Sequence, residues 1–156
     1  MLPGVERAIA TLNRTGRTVI VVTNQRGVAL GLYSVEALAQ MHDRLRQRLA
    51  VHGAHLDAIY VCPHNEGECG CRKPQTGLFE QAFRDFPAAH TGNSVMIGDS
   101  LRDMEAGSAL GMRTVFVEEG STPDSEEIVR ARSLAQLRVV SLEDFVDHFV
   151  RPQHRL

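Results

Sequence analysis

The chain has no tryptophan and only two tyrosines, so stacking platforms for nucleobases are scarce. An excess of one charge is lacking too. Seventeen basic and nineteen acidic residues leave a formal charge of −2, which argues against nucleic acid or an anionic membrane surface as the main partner. No apolar run approaches the ~20 residues that cross a bilayer. The opening Met1-Leu2-Pro3-Gly4-Val5-Glu6 lacks the basic-then-apolar layout of a secretion signal, so the expected location is cytoplasmic. Lysine is nearly absent: sixteen of the basic residues are Arg and one is Lys73. Chance can produce such a count; a site that needs a compact point charge also produces it. Cysteine is scarce but not scattered. Cys62, Cys69 and Cys71 lie within ten residues, and an odd, clustered set in a cytosolic chain points to metal rather than to a disulfide framework.

What is present is ordinary globular composition, with 43% hydrophobic and 23% charged residues in 156. That length suits one domain, expected over 1–150 with a tail at 151–156. Strand-like and helix-like segments alternate. Thr18–Val22, Ala58–Val61, Val95–Ile97 and Arg113–Val117 are short β-branched runs of the kind buried on both faces of a sheet. Val139-Val140 is expected as a small edge strand. Between them run helical spacings: Val5, Ala8, Ile9 and Leu12; Val35, Leu38, His42, Leu45 and Leu49 after a Ser34 cap; Leu78, Phe79, Ala82, Phe83 and Phe86 after a Thr76 cap; Leu101 to Ala109; Ser125 to Arg132; and Leu142, Phe145, Val146 and Phe149 after Ser141. Ser121–Asp124 is expected as a turn. The alternation implies an α/β fold of parallel βαβ units. Ligands of such sheets bind beyond the carboxyl ends of the strands.

Three segments follow those strand ends. Thr23-Asn24-Gln25-Arg26-Gly27 offers a hydroxyl, amides, a guanidinium and a close-approach glycine, suited to a phosphate or equally to a polar turn. Cys62-Pro63-His64 through Cys69-Gly70-Cys71 supplies three thiolates and an imidazole, a closed tetrahedral set for structural zinc. Arg72-Lys73-Pro74 follows at once, so the zinc loop (62–74) would fix where two cations point. Such fixed cations suit the charge that spreads over phosphoryl oxygens in transfer. Gly98-Asp99-Ser100-Leu101-Arg102-Asp103 places two carboxylates one helical turn apart, where they can face Mg²⁺; alternatively Asp99 is a helix N-cap and Asp103 a solvated residue.

Together, Thr23 after an apolar strand, Lys73 before a proline, and Gly98-Asp99 with Asp103 resemble motifs two, three and four of the haloacid-dehalogenase-like phosphohydrolases. Val22-Thr23-Asn24-Gln25, the cysteine loop with Arg72-Lys73-Pro74, and Gly98-Asp99-Ser100 resemble the branch of heptose-bisphosphate and histidinol-phosphate phosphatases, over roughly Pro3 to Val117. The resemblance implies a Rossmann-like three-layer parallel sheet and a Mg²⁺-dependent phosphatase of a small phosphorylated metabolite, a sugar or an amino alcohol. The substrate it points to most is D-glycero-D-manno-heptose 1,7-bisphosphate, losing its 7-phosphate; histidinol phosphate is the alternative. It implies that Thr23 binds the transferring phosphoryl group, Lys73 stabilises it, and Asp99 holds Mg²⁺ with Asp103 as a supporting carboxylate. Asn24, Gln25, Arg26 and Arg72 would contact substrate, and Cys62, His64, Cys69 and Cys71 would bind zinc. The family's first motif, an Asp-x-Asp whose first Asp is the nucleophile, has no counterpart: the only acidic residue before Thr18 is Glu6. The expectation is therefore a fold missing its first central strand, with self-association through the vacant strand position. The competing expectation is a catalytically inactive, zinc-stabilised module that binds phosphate or a partner chain.

Overall fold

The computed structural model describes residues 2–119 and 125–150. The turn expected at Ser121–Asp124 and the tail at 151–156 lie outside the described residues. Twelve elements alternate as expected: α1 (Val5–Arg14), β1 (Ile20–Asn24), α2 (Val35–Val51), β2 (Ala58–Cys62), α3 (Gly77–Asp85), a 3₁₀ turn (Thr91–Asn93), β3 (Val95–Gly98), α4 (Leu101–Ala109), β4 (Arg113–Val117), α5 (Glu126–Leu134), β5 (Leu137–Val139) and α6 (Leu142–Phe149). The ladders are parallel throughout. They form two sets, β1-β2 and β3-β4-β5. No helix among the described residues is long and apolar enough to cross a membrane.

The chain divides into two compact units. The first takes residues 1–68 and 142–156. In it α1 lays Ile9 and Ala10 against Leu49 of α2 and Ala54, with Val5, Val19, Leu45, Leu56 and Leu142 packed around them. Glu6, nearly buried, is held by Arg48 at 2.9 Å. The second unit takes residues 69–141. Its core is Leu101 and Met104 of α4, Phe116 of β4, and Ile128 and Ala131 of α5. At the end of β4, Glu118 accepts from Arg132 at 2.7 and 3.0 Å and from Arg138 at 3.0 Å. These donors, the Arg132 hydrogen bond first, hold its carboxyl below the usual carboxylate range.

Four details depart from the sequence expectation. β1 begins two residues later than expected and takes in Thr23 and Asn24, which ladder with Val61 and Cys62. Ladder bonds use the backbone, so polar side chains do not end a strand that has a paired neighbour. Thr76 is not a side-chain cap; its hydroxyl donates to Glu80 at 2.6 Å. Val35 at 60% and Phe149 at 55% exposure face outward although both fall on helical apolar spacings. Val35 is the first residue of α2 and Phe149 the last of α6; Phe149 stacks on Phe145, ring centroids 5.7 Å apart. Ser34 does cap α2, accepting from the Ala37 N–H at 3.1 Å.

Candidate active site and metal centre

Parallel pairing in register, Thr23 with Val61 and Asn24 with Cys62, brings β1 and β2 to an end together. The Gln25 N–H continues the ladder to the Cys62 carbonyl at 2.7 Å. The turn after β1 and the start of the cysteine loop therefore leave the sheet at one place. Gln25 donates from Nε2 to the Thr23 hydroxyl at 3.0 Å. Arg26 donates from Nε to the Asn65 side-chain oxygen at 3.1 Å. Asn65 donates its backbone N–H and its amide to Glu68, at 3.0 and 3.1 Å. Those bonds, the side-chain one first, lower the Glu68 carboxyl from its ordinary value and cross-brace the loop between its second and third metal donors.

Cys62, His64, Cys69 and Cys71 bring one ligand atom each to within 4.8 Å of all the others. The Cys62 sulfur lies 3.7 Å from His64 Nδ1, and the Cys71 sulfur 3.2 Å from that of Cys69. Tetrahedral zinc, with bonds of about 2.3 Å to sulfur and 2.0–2.1 Å to nitrogen, sets neighbouring ligand atoms roughly 3.5–3.8 Å apart. The observed spacing surrounds that range, and none of the three cysteines is in a disulfide. The donor set fits the ion. Four protein ligands leave no position for a reacting water, so the centre is structural in kind.

Beyond this loop the structure unites two residues that the sequence left apart. Lys73 Nζ lies 2.5 Å from Asp103 Oδ1, with side chains only 11% and 7% exposed. The second Asp103 oxygen accepts from the Ser100 hydroxyl at 2.7 Å and its N–H at 3.3 Å. Ser100 accepts in return from the Asp103 N–H, a reciprocal capping box that starts α4. The cap is thus Ser100 and not Asp99. Asp103 is neither solvated nor turned to solvent: both its oxygens are engaged inside the protein. Gly98 makes room for this, since a Cβ there would stand 2.5 Å from the Asp103 carboxyl carbon. Asp99 follows β3 directly and is exposed, free of the cap that Ser100 supplies. Arg72 is buried.

Comparison with known proteins places the chain in a family. A family model described as HAD-hydrolase-like matches residues 70–141. A Vibrio cholerae protein named D-glycero-beta-D-manno-heptose-1,7-bisphosphate 7-phosphatase is 35% identical over 96% of this chain and 83% of its own length. The chain belongs to the haloacid-dehalogenase-like phosphatases. A Pseudomonas putida protein of the same name is 40% identical over 76% of this chain and 68% of its own. The solved heptose 1,7-bisphosphate phosphatase of B. bronchiseptica, complexed with magnesium and phosphate, superposes with a TM-score of 0.81 at 30% identity, covering 94% of this chain and 81% of that one.

In this haloacid-dehalogenase-like chain the sequence names Thr23, Lys73 and Asp99 as site candidates, with Gln25 and Asp103 among them; it does not show that Asp103 pairs with Lys73 or that Gln25 bonds Thr23. Ser100-x-x-Asp103 is a legible capping box. Asn65 with Glu68, and Tyr33, carried no signal beyond their types.

Proposed function

We propose that the chain is the body of a Mg²⁺-dependent phosphatase that removes the 7-phosphate of D-glycero-D-manno-heptose 1,7-bisphosphate. The observation that carries this is the buried Lys73–Asp103 pair placed directly after a Cys₃His loop, in a chain whose relatives bear that enzyme's name. Lys73 supplies a fixed ammonium to the phosphoryl oxygens, and Thr23 a hydroxyl. Asn24, Gln25, Arg26 and Arg72 contact the rest of the substrate. Asp99, an exposed carboxylate at a strand end, would hold Mg²⁺, which when bound neutralises phosphoryl charge. Cys62, His64, Cys69 and Cys71 would hold zinc that fixes the loop leading to Arg72. Asp103 acts on Lys73 by holding it.

One observation favours a second reading for the polypeptide of these 156 residues. They contain no Asp-x-Asp, and covalent phosphoryl transfer needs a carboxylate nucleophile aimed at phosphorus. On that reading the polypeptide binds a phosphorylated ligand without turning it over. A phosphate-release assay on the heptose bisphosphate separates the two. We expect no turnover by the 156 residues alone, and Mg²⁺-dependent turnover once an N-terminal strand ending in Asp-x-Asp is supplied. Ordinary enzyme rates from the 156 residues alone, abolished by Asp99→Asn, refute the assignment of the missing nucleophile. A cysteine cluster that serves as a metal site and holds no disulfide supports a reducing compartment such as the cytoplasm. Self-association through a strand edge is tested by sedimentation across a concentration series.

A further inference from the structure

The turn after β1 holds a chain of three side chains. Tyr33 donates its hydroxyl to Gln25 Oε1 at 2.6 Å, and Gln25 Nε2 donates to the Thr23 hydroxyl oxygen at 3.0 Å. The two lengths suit the amide orientation in which Oε1 faces Tyr33 and Nε2 faces Thr23. O–H···O bonds centre near 2.7–2.8 Å and N–H···O bonds near 2.9–3.0 Å. Turning the amide over would place an N–H donor at 2.6 Å from Tyr33, shorter than such bonds run. In the observed orientation Thr23 receives a hydrogen bond, so its own hydroxyl hydrogen is not spent on Gln25. Tyr33 is itself placed by two devices. It directly precedes Ser34, the cap of α2. Its ring also lies against Gly27, where a Cβ would come within 2.3–2.7 Å of the ring carbons and hydroxyl. The Leu32 N–H closes that turn on the Gly27 carbonyl at 2.8 Å.

We propose that Tyr33 is a positioning residue: through Gln25 it keeps the Thr23 hydroxyl hydrogen available for donation to a phosphoryl oxygen. This rests on the reading of Thr23 as a phosphoryl contact. Without the Tyr33 hydroxyl, the Gln25 amide is free to rotate and offer its oxygen to Thr23. Thr23 then donates inward, and presents a lone pair where the anion needs a hydrogen. A phenylalanine keeps the ring and its packing on Gly27 while removing only the donor.

The test is a double-mutant cycle on the 156-residue chain, with inorganic phosphate and Mg²⁺ as the probe in titration calorimetry. Tyr33→Phe should weaken phosphate about five-fold, the scale of one neutral hydrogen bond. In a Thr23→Val background the same change should cost nothing further, whereas a merely structural role would cost the same in both. Nitrogen-15 spectra without phosphate give a second measurement, in which the Gln25 side-chain amide signals should move in Tyr33→Phe. Unmoved signals, or effects of Tyr33→Phe and Thr23→Val that simply add, overturn the proposal. If Thr23→Val loses phosphate and Tyr33→Phe does not, the inference fails and the reading of Thr23 stands. If Thr23→Val itself changes nothing, the reading of Thr23 fails and takes the inference with it.

Discussion

Removing one member of the Lys73–Asp103 pair should destabilise the protein far more than removing both. The charges lie 2.5 Å apart, with side chains 11% and 7% exposed, so solvent screens them little. Loss of one partner leaves a buried charge without its ion pair, at a cost of about 3–5 kcal/mol. Lys73→Met leaves the carboxylate with only the Ser100 donors. Asp103→Asn keeps an acceptor for Ser100 but turns an amide toward the ammonium. In the double variant no charge remains; the residual cost is one unsatisfied amide, about 1–3 kcal/mol. The sum of the single costs is thus roughly 6–10 kcal/mol, and the coupling on the order of 3 kcal/mol or more. Urea unfolding of the zinc-loaded chain reads this out. With a slope of about 2 kcal/mol per molar, each single variant should lose roughly 1.5–2.5 M of midpoint. The double variant should recover most of that loss, with the slope unchanged. Single variants that add to give the double refute the buried-pair argument, because independent residues add.

The double variant also serves the function. Lys73→Met/Asp103→Asn should bind inorganic phosphate about 10-fold to 100-fold more weakly than wild type, the loss of one charge-assisted contact; equal affinity removes Lys73 from the site. Elemental analysis of chain purified without added metal should find one zinc per chain. Cys69→Ser should lower that content and raise hydrogen exchange around Arg72 and Lys73 more than in β3 and β4. Gly98→Ala should destabilise by pushing Asp103 off Lys73, and in an Asp103→Ala background its cost should shrink, both read as urea midpoints. For Glu118 the folded pKa is lowered, so its stabilisation is complete above the ordinary Glu value of about 4.3 and is lost as pH falls through the folded value. Midpoints measured from about pH 6 down to 3 should fall less steeply in Glu118→Gln than in wild type.

The parts of this fold that the sequence made legible are those where pattern and packing coincide. The β-branched runs became β1 to β4; β4 is buried from Thr114 to Val117, whereas β1 is only half-buried along its length. The cysteine loop was legible because its donors are local: four ligands in ten residues need no knowledge of the distant fold. The Lys73–Asp103 pair was not legible. Thirty residues separate its members, and only the packing of the second unit brings them together. The capping box removes the alternative of Asp99 as the helix cap. Asp and Ser both cap helices, and the choice between them fell to Ser100 because the residue three positions on could reciprocate. Tyr33 lay hidden for a different reason: its contact with Gln25 depends on a turn closing over Gly27, which no periodicity reports.

The choice of lysine at position 73 has a geometric reason. An arginine fork is at its best when it grips both oxygens of a carboxylate. At Asp103 one oxygen is already taken by the Ser100 hydroxyl and N–H, and those bonds start α4, so they are not available for exchange. A single oxygen, facing a space in which Lys73 is 9% exposed, suits a compact ammonium that can bond it with one hydrogen. A free lysine side chain would lose about 1.5–2 kcal/mol of rotamer freedom on being fixed in that pose. Here the loss is taken at folding, with the Asp103 bond compensating it, and not when a ligand arrives. The metal cluster acts on the same stretch from the other side, since Cys71 is a donor two residues before Lys73. One end of the segment is held by the loop, the other by a carboxylate buried at the start of α4. Between them, the only ammonium side chain in the sequence is fixed at folding; on the proposed reading of Lys73 as a phosphoryl contact, that is the condition under which a fixed charge stabilises a transition state and not merely a bound state.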